Sequence, residues 1–498
     1  MKTSPVGTTS NKRGSSYRVA YVVLCLGVAS FSLLQSLVTP VLPMIERELN
    51  TNQTNVTWVL TAYLLSASVF TPILGRLGDM TGKKRVFVIA LIVLTAGSLL
   101  AAVATSLPVM LVARVIQGVG GGLLPLAFSI VRDEFPPHKV AGAVGIIAAL
   151  TAVGSGFGIV LAGPIVSLLS YRWLFLLPMI ITAVAAVAAH FLIPESRVVT
   201  PGKINWITAG LLSSWLVALL LAVSQAPSWG WGSAKVLALV ALSIVLAVVW
   251  VIAESRSDNP LIDMRMMRIR SVWAANLVAL LLGVGMYASF GFLPQFLQTP
   301  TSTGYGFGAS VTQAGLMLLP MTVGMFVLSM FSSRLAERYG SKRILAIGTV
   351  ITAAGFFMVA LMHDYKWEMY LSTAVIGVGL GLAFSAMSNV VVTAVPAEQT
   401  GVASGMNANI RTIGGALGAA VMASIVTVGA SDSGLPQESG YVNGYLMLGG
   451  VSIVAAAAAL LVPRIKRTSV LRLETSAEPR QDDFEMVSGS AVGGATSK

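Results

Sequence analysis

Gly75-Arg76-Leu77-Gly78-Asp79-Met80-Thr81-Gly82-Lys83-Lys84-Arg85 is a polar turn set between two long apolar runs, 56–76 and 86–105. Each run matches the roughly 20 residues that a helix needs to cross a hydrocarbon core. Gly75, Gly78 and Gly82 let two helices approach closely and turn tightly. Asp79 is placed to accept from a helix N-terminus or a nearby arginine, which is the chemistry of a latch. Lys83, Lys84 and Arg85 form the basic cluster that follows a span on the cytoplasmic side. A plainer reading is a basic turn that only fixes topology.

A second copy strengthens the latch reading. Arg334-Leu-Ala-Glu337-Arg-Tyr-Gly340-Ser-Lys342-Arg343 repeats the pattern 258 residues later. Gly118 and Gly120 match Gly377 and Gly379 at an offset of 259, and Gly145, Gly154 and Gly158 match Gly405, Gly414 and Gly418 at 260. A near-constant offset over several helices marks an internal repeat. The offset exceeds the length of six helices by about two spans. The expected architecture is therefore all-α and integral to the membrane, with fourteen helices arranged six, two and six. Parallel repeats of this kind carry their substrate path between the halves, near the midplane.

Composition agrees. The chain has 498 residues, 55% hydrophobic and only 10% charged, against about a quarter charged in soluble domains. So few charges cannot cover a water-soluble surface of this size, and lipid is the remaining solvent. The apolar stretches are continuous, unlike the alternating strands of a membrane barrel. The expected spans are 19–43, 56–76, 86–105, 108–131, 141–168, 173–194, 206–224, 234–253, 271–297, 312–334, 344–362, 369–395, 400–428 and 441–462. They delimit a first bundle (19–194), a linker with two extra spans (195–255) and a second bundle (256–463). The polar tails 1–18 and 464–498 are expected to be disordered. No cleavable signal peptide is expected, because the first apolar segment is too long for one.

Basic residues orient the spans. With the N-terminus inside, only Arg47, Arg172, Lys235 and Lys366 of the 32 lysines and arginines fall outside, and Arg114 and Arg411 fall within spans. This asymmetry is the positive-inside rule, and it places both termini in the cytoplasm of a multi-pass inner-membrane protein. It also explains the net charge of +12 without nucleic acid, since the charge is spread over many short loops. Cys25 is the only cysteine, which excludes an intrachain disulfide or a cysteine metal cluster. No catalytic triad, metal-ligand cluster or nucleotide motif is evident, so neither enzyme nor cofactor is expected.

These motifs resemble the major facilitator superfamily, and within it the fourteen-span drug:proton antiporters. The Gly75–Arg85 run is similar to the superfamily's signature loop. Arg114-Val-Ile-Gln117-Gly118 in the fourth span resembles the motif whose arginine the family uses in proton coupling. The alternative is an arginine snorkelling to the interface. Gly154, Gly158 and Gly163, followed by Tyr171-Arg172-Trp173, resemble the antiporter motif, with two departures: Ile159 stands for a proline and Ala162 for a glycine. Small residues at this spacing also serve plain helix packing. Gly405-Met-Asn407-Ala-Asn409-Ile-Arg411 resembles the corresponding segment of the second half.

One family feature is missing. Leu34 stands where many fourteen-span members carry an aspartate in span one, and no acidic residue lies mid-span. The substrate is accordingly expected to be neutral, anionic or zwitterionic, with Arg114 and Arg411 biasing the cavity positive. Proton coupling falls to Arg114, Asp133 and Glu134, or to Asp79, although Asp133 and Glu134 read equally well as a surface ion pair. Candidate cavity residues are Gln35, Tyr63, Gln117, Tyr287, Phe290, Gln295, Asn389, Asn407 and Arg411. For any one of them, ordinary packing is the bland alternative. The resemblance implies a monomeric secondary exporter of a small amphiphilic compound, driven by a proton or other ion gradient. An importer or facilitator, or a non-transporting receptor on the same fold, are the alternatives.

Overall fold

The computed structural model describes residues 10–463 except 52, 57, 196–204, 258–259, 397–398 and 428–435. Of the tails expected to be disordered, 1–18 and 464–498, residues 1–9 and 464–498 lie outside the described residues, whereas residues 10–18 are helical and open the first helix. Helices follow one another in chain order as α1 Ser10–Leu37, α2 Leu42–Glu48, α3 Gln53–Val56, α4 Trp58–Thr81, α5 Lys83–Ala102, α6 Leu107–Gly118, α7 Leu123–Glu134, α8 Pro137–Leu168 and α9 Trp173–Leu192. They continue as α10 Trp206–Trp229, α11 Ala234–Ser255, α12 Met264–Met267, α13 Arg270–Gln298, α14 Val311–Tyr339, α15 Ser341–Leu361, α16 Lys366–Ala394, α17 Thr400–Thr427 and α18 Glu438–Ala459. Helices α6 and α7 are joined through a 3-10 turn at Val119–Gly122 and read as one span.

Among the described residues thirteen helices are long and apolar enough to cross a membrane. The predicted fifth span, 141–168, falls in α8, a 32-residue helix whose described apolar stretch, Gly154–Leu168, is itself shorter than a span. Local chemistry sets several helix starts. Asn205 caps α10 by accepting from the backbone N–H groups of Ile207 and Thr208, and Ser310 with Gln313 forms a capping box at α14.

Two neighbourhoods recur in the packing. Helices α1, α8 and α9 contact one another, as do α4, α5 and α6; farther along, α13 pairs with α17 and α18, and α14 and α15 with α16. The seam between them is made by α8 against α14 and α16, and by α4 and α7 against α17. Helix α10 lies against α4, α17 and α11.

Burial sorts the helices by their surroundings. In α16, 89% of the apolar window is buried, against 17% in α11. Leu237, Leu242, Ile244, Val245 and Val248 of α11 stand exposed on its surface. An apolar face of that extent is untenable in water and natural in lipid. The chain is a multi-pass membrane protein.

Candidate functional site

The two signature loops adopt the same turn. Gly82 separates α4 from α5 with φ of 109°, and Gly340 separates α14 from α15 with φ of 88°. Only glycine takes that backbone without strain, so the repeat seen in the sequence is also a repeat of geometry. Their surroundings differ. Asp79 and Lys83 are buried, whereas Arg334, Arg343 and Gly340 are exposed and Lys342 donates to the Leu460 carbonyl. Among the described residues Glu337 makes no ion pair.

The first loop faces the seam. Lys83 Nζ lies 2.7 Å from Asp133 Oδ2 at the end of α7 and 3.8 Å from Asp79 Oδ1. Glu134 is half-buried beside it. Asp79 is set against the first turn of α17: a Cβ on Gly401 would lie 3.1 Å from Asp79 Oδ2 and 3.1 Å from the Gly75 carbonyl oxygen. The positive end of α17 therefore meets the carboxylate, and the missing side chain at Gly401 permits the approach. Arg132, next to Asp133, crosses the seam to the Val392 carbonyl and to Thr400 Oγ1 at 2.8 Å. Farther along the seam, Asn409 Nδ2 donates to the Ser68 carbonyl at 2.7 Å. This end of the seam is shut by contacts between α4, α7, α16 and α17. Gly401, Arg132 and Asn409 were not among the predicted site residues, and nothing in a single sequence announces that three distant turns will meet.

The opposite end is open. A cavity of about 190 Å³ lies between α1, α4, α8, α13 and α17, lined by Gln35, Tyr63, Tyr287 and Phe290 together with Thr39, Ser155 and Thr412. It shares Thr39, Ile159, Phe290 and Gly291 with a second, wider mouth of about 390 Å³ that Gln295 lines. Among the described residues no charged side chain lines either one. The mouth is framed by packed aromatics: Phe296 meets Tyr305, Tyr441 and His363, and His363 Nε2 lies 2.8 Å from Glu438 Oε1.

Gln117, Asn389, Asn407 and Arg411 lie outside the cavity lining. Gln117 belongs to a buried knot of α4, α5 and α6: Arg114 Nε donates to the Val59 carbonyl at 2.9 Å, its Nη1 to Gln117 Oε1 at 2.8 Å, and Gln117 Nε2 to Ser98 Oγ at 3.2 Å. The Arg114 guanidinium also stacks over Tyr63, 4.3 Å from the ring centroid, so it sits directly behind a cavity wall. Asn407 donates to Asn276 Oδ1 at 2.9 Å. Among the described residues neither amide atom of Asn389, buried at the shut end, has a hydrogen-bond partner, and the same holds for the Ser129, Ser385 and Ser404 hydroxyls.

The glycines of α8 serve two partners. Gly154 and Gly158 abut α1, where added Cβ atoms would meet the Ala29 and Leu33 carbonyls at 3.0 and 2.9 Å, and Gly163 abuts Thr312 at the start of α14. One helix thus contacts both neighbourhoods through small residues.

Comparison with known proteins agrees with this geometry. The family model described as Major Facilitator Superfamily matches residues 24–419 and again 275–485. The chain is 29% identical to the "Multidrug transporter protein MdtP" of Bacillus subtilis, over 84% of this chain and 77% of that one. It is 28% identical to a "Multidrug resistance protein B homolog" of Mycobacterium tuberculosis (76% and 71% covered). It is 27% identical to the "Tetracenomycin C resistance and export protein" of Streptomyces glaucescens (80% and 74%). In fold it is similar to the human organic anion transporter MFSD10, with a TM-score of 0.65 at 17% identity, over 90% of this chain and 99% of that one. The chain belongs to the major facilitator superfamily.

Proposed function

We propose that this protein is a secondary active exporter of small amphiphilic compounds (drugs, antibiotics or secreted metabolites) working by proton-coupled alternating access. In this reading residues 19–194 and 256–463 are the two rocking bundles, and α10 and α11 are the inserted pair, which completes the fourteen spans as six, two and six. In the same reading the loop end faces the cytoplasm, which the distribution of basic residues supports, and the open end faces outward. The transport relatives, named for multidrug resistance and antibiotic export, support the substrate range.

One observation carries the reading. The seam between the bundles is open at one end and shut at the other, and the shut end buries polar atoms of Ser129, Ser385, Asn389 and Ser404 that no protein group bonds. A buried unmet polar group costs about 1–3 kcal/mol. Such a lining suits a surface that is wetted when the other end opens. The latch supplies the coupling: protonating Asp133 removes the carboxylate 2.7 Å from Lys83 and frees the Asp79–α17 contact to part. Glu134 and Arg114 are assigned to the same relay.

Uptake into everted membrane vesicles under an imposed interior-acid gradient tests this. The wild-type protein should drive uphill accumulation of a relative's drug, collapsed by a protonophore. Accumulation that ignores the proton gradient, or that runs only in right-side-out vesicles, contradicts it.

A further inference from the structure

The cavity contains a polar side chain whose hydrogen-bonding capacity is spent on one side only. Tyr287 lines the wall, and its hydroxyl receives the Gln35 Nε2 donor at 3.4 Å. Behind it the Arg411 guanidinium, 6% exposed, interacts with the same hydroxyl. The Gln35 donor and the nearby positive charge of Arg411 both favour the acceptor side of the phenol oxygen and turn its O–H elsewhere. The direction left is the cavity.

Arg411 differs from Arg114 in how its charge is met. Arg114 has a carbonyl and an amide oxygen within 2.9 Å. Arg411 stacks over Phe384, 4.5 Å from the ring centroid, and its Nε has no hydrogen-bond partner among the described residues. None of the ion pairs among the described residues includes it. A buried cation of this kind is expensive and marks a binding function inside a span. Among the described residues the cavity wall in front of it carries no carboxylate that could compete for it or hold a cationic drug.

We infer that Tyr287, backed by Arg411 and steadied by Gln35, forms a subsite for an anionic oxygen (a carboxylate or an ionised phenol or enol) on an otherwise apolar substrate. This rests on the exporter reading above and narrows its substrate class. The Tyr287 O–H donates to the substrate oxygen, and Arg411 supplies the opposing charge one layer deeper. The apolar remainder of the substrate packs on Phe290 and Leu60, which line the same cavity.

Two measurements separate the subsite from the transport reading. Fluorescence quenching on purified protein, with a pyrene carboxylate dye and its neutral methyl ester as probes, reports binding alone. The anion should bind at least tenfold more tightly than the ester in the wild type. Arg411→Gln and Tyr287→Phe should each bring that ratio down several-fold, and Arg411→Lys should restore part of it. An unchanged ratio in monodisperse Arg411→Gln and Tyr287→Phe proteins, or wild-type preference for the ester or for ethidium, overturns the subsite. Uptake of the same dyes into everted vesicles reports export. Anion preference in binding with no uphill uptake of any dye leaves the subsite standing and defeats the exporter reading.

Discussion

Lys83 carries the latch more than Asp79 does. Its side chain is fully buried between Asp79 and Asp133, so removing it strands two carboxylates, whereas removing Asp79 leaves the 2.7 Å pair intact. Breaking a buried ion pair from one side costs roughly 3–5 kcal/mol. Lys83→Met should therefore open the loop end more fully than Asp79→Asn does. Both should lower vesicle uptake, Asp79→Asn by about tenfold, a change of roughly 1.4 kcal/mol. Equal effects of the two variants, or full activity of Lys83→Met, would remove the latch from the mechanism. The sequence made Asp79 conspicuous because the arginine, acid, glycine and basic pair around it repeat at Arg334, Glu337, Gly340, Lys342 and Arg343. It could not reveal Gly401 or Arg132, whose importance comes only from helix crossing. Arg114 shows the same division: its cost inside a span was legible, but its partners, the Val59 carbonyl and Gln117, depend on how α4 lies against α6.

At the scale of helices, the shut end is a fit between α4 and α17 with no room to spare. A Cβ at Gly401 already comes within 2.9 Å of Ser129 Oγ and 3.1 Å of both Asp79 and Gly75. Gly401→Leu should act as a wedge that holds this end open. In a Cys25→Ser background carrying Asn389→Cys, it should speed labelling by a thiol reagent added from the cytoplasmic side. Unchanged labelling would mean that α4 and α17 do not form the barrier. The start of α14 offers a contrast away from the seam: Ser310→Ala loses the capping box and should cost about 1 kcal/mol of stability, read as a small fall in melting temperature with dye selectivity intact. The existence and order of these helices were legible from apolar run lengths. Which small residues line the cavity was not: Thr39, Ser155 and Thr412 look like ordinary helix-packing residues until the neighbouring helices are in place.

For the whole molecule, the repeat offset near 258 residues led to the expectation of two related groups of helices with a path between them, and the proposed function assigns that path to the cavity between α1, α4, α8, α13 and α17. What no periodicity encodes is the state: open at one end and shut at the other. Alternating access requires that these two ends exchange. Spin labels at Lys139 and Tyr339 report the loop end, and labels at Ser170 and Ser302 report the open end, all four being exposed. Double electron–electron resonance distances between each pair, in a Cys25→Ser protein in lipid nanodiscs, should move oppositely as pH is lowered or substrate is added, with the loop-end pair lengthening as the open-end pair shortens. Two pairs that lengthen together, or that hold the same distances under every condition, would contradict the rocking of two bundles about a shared cavity.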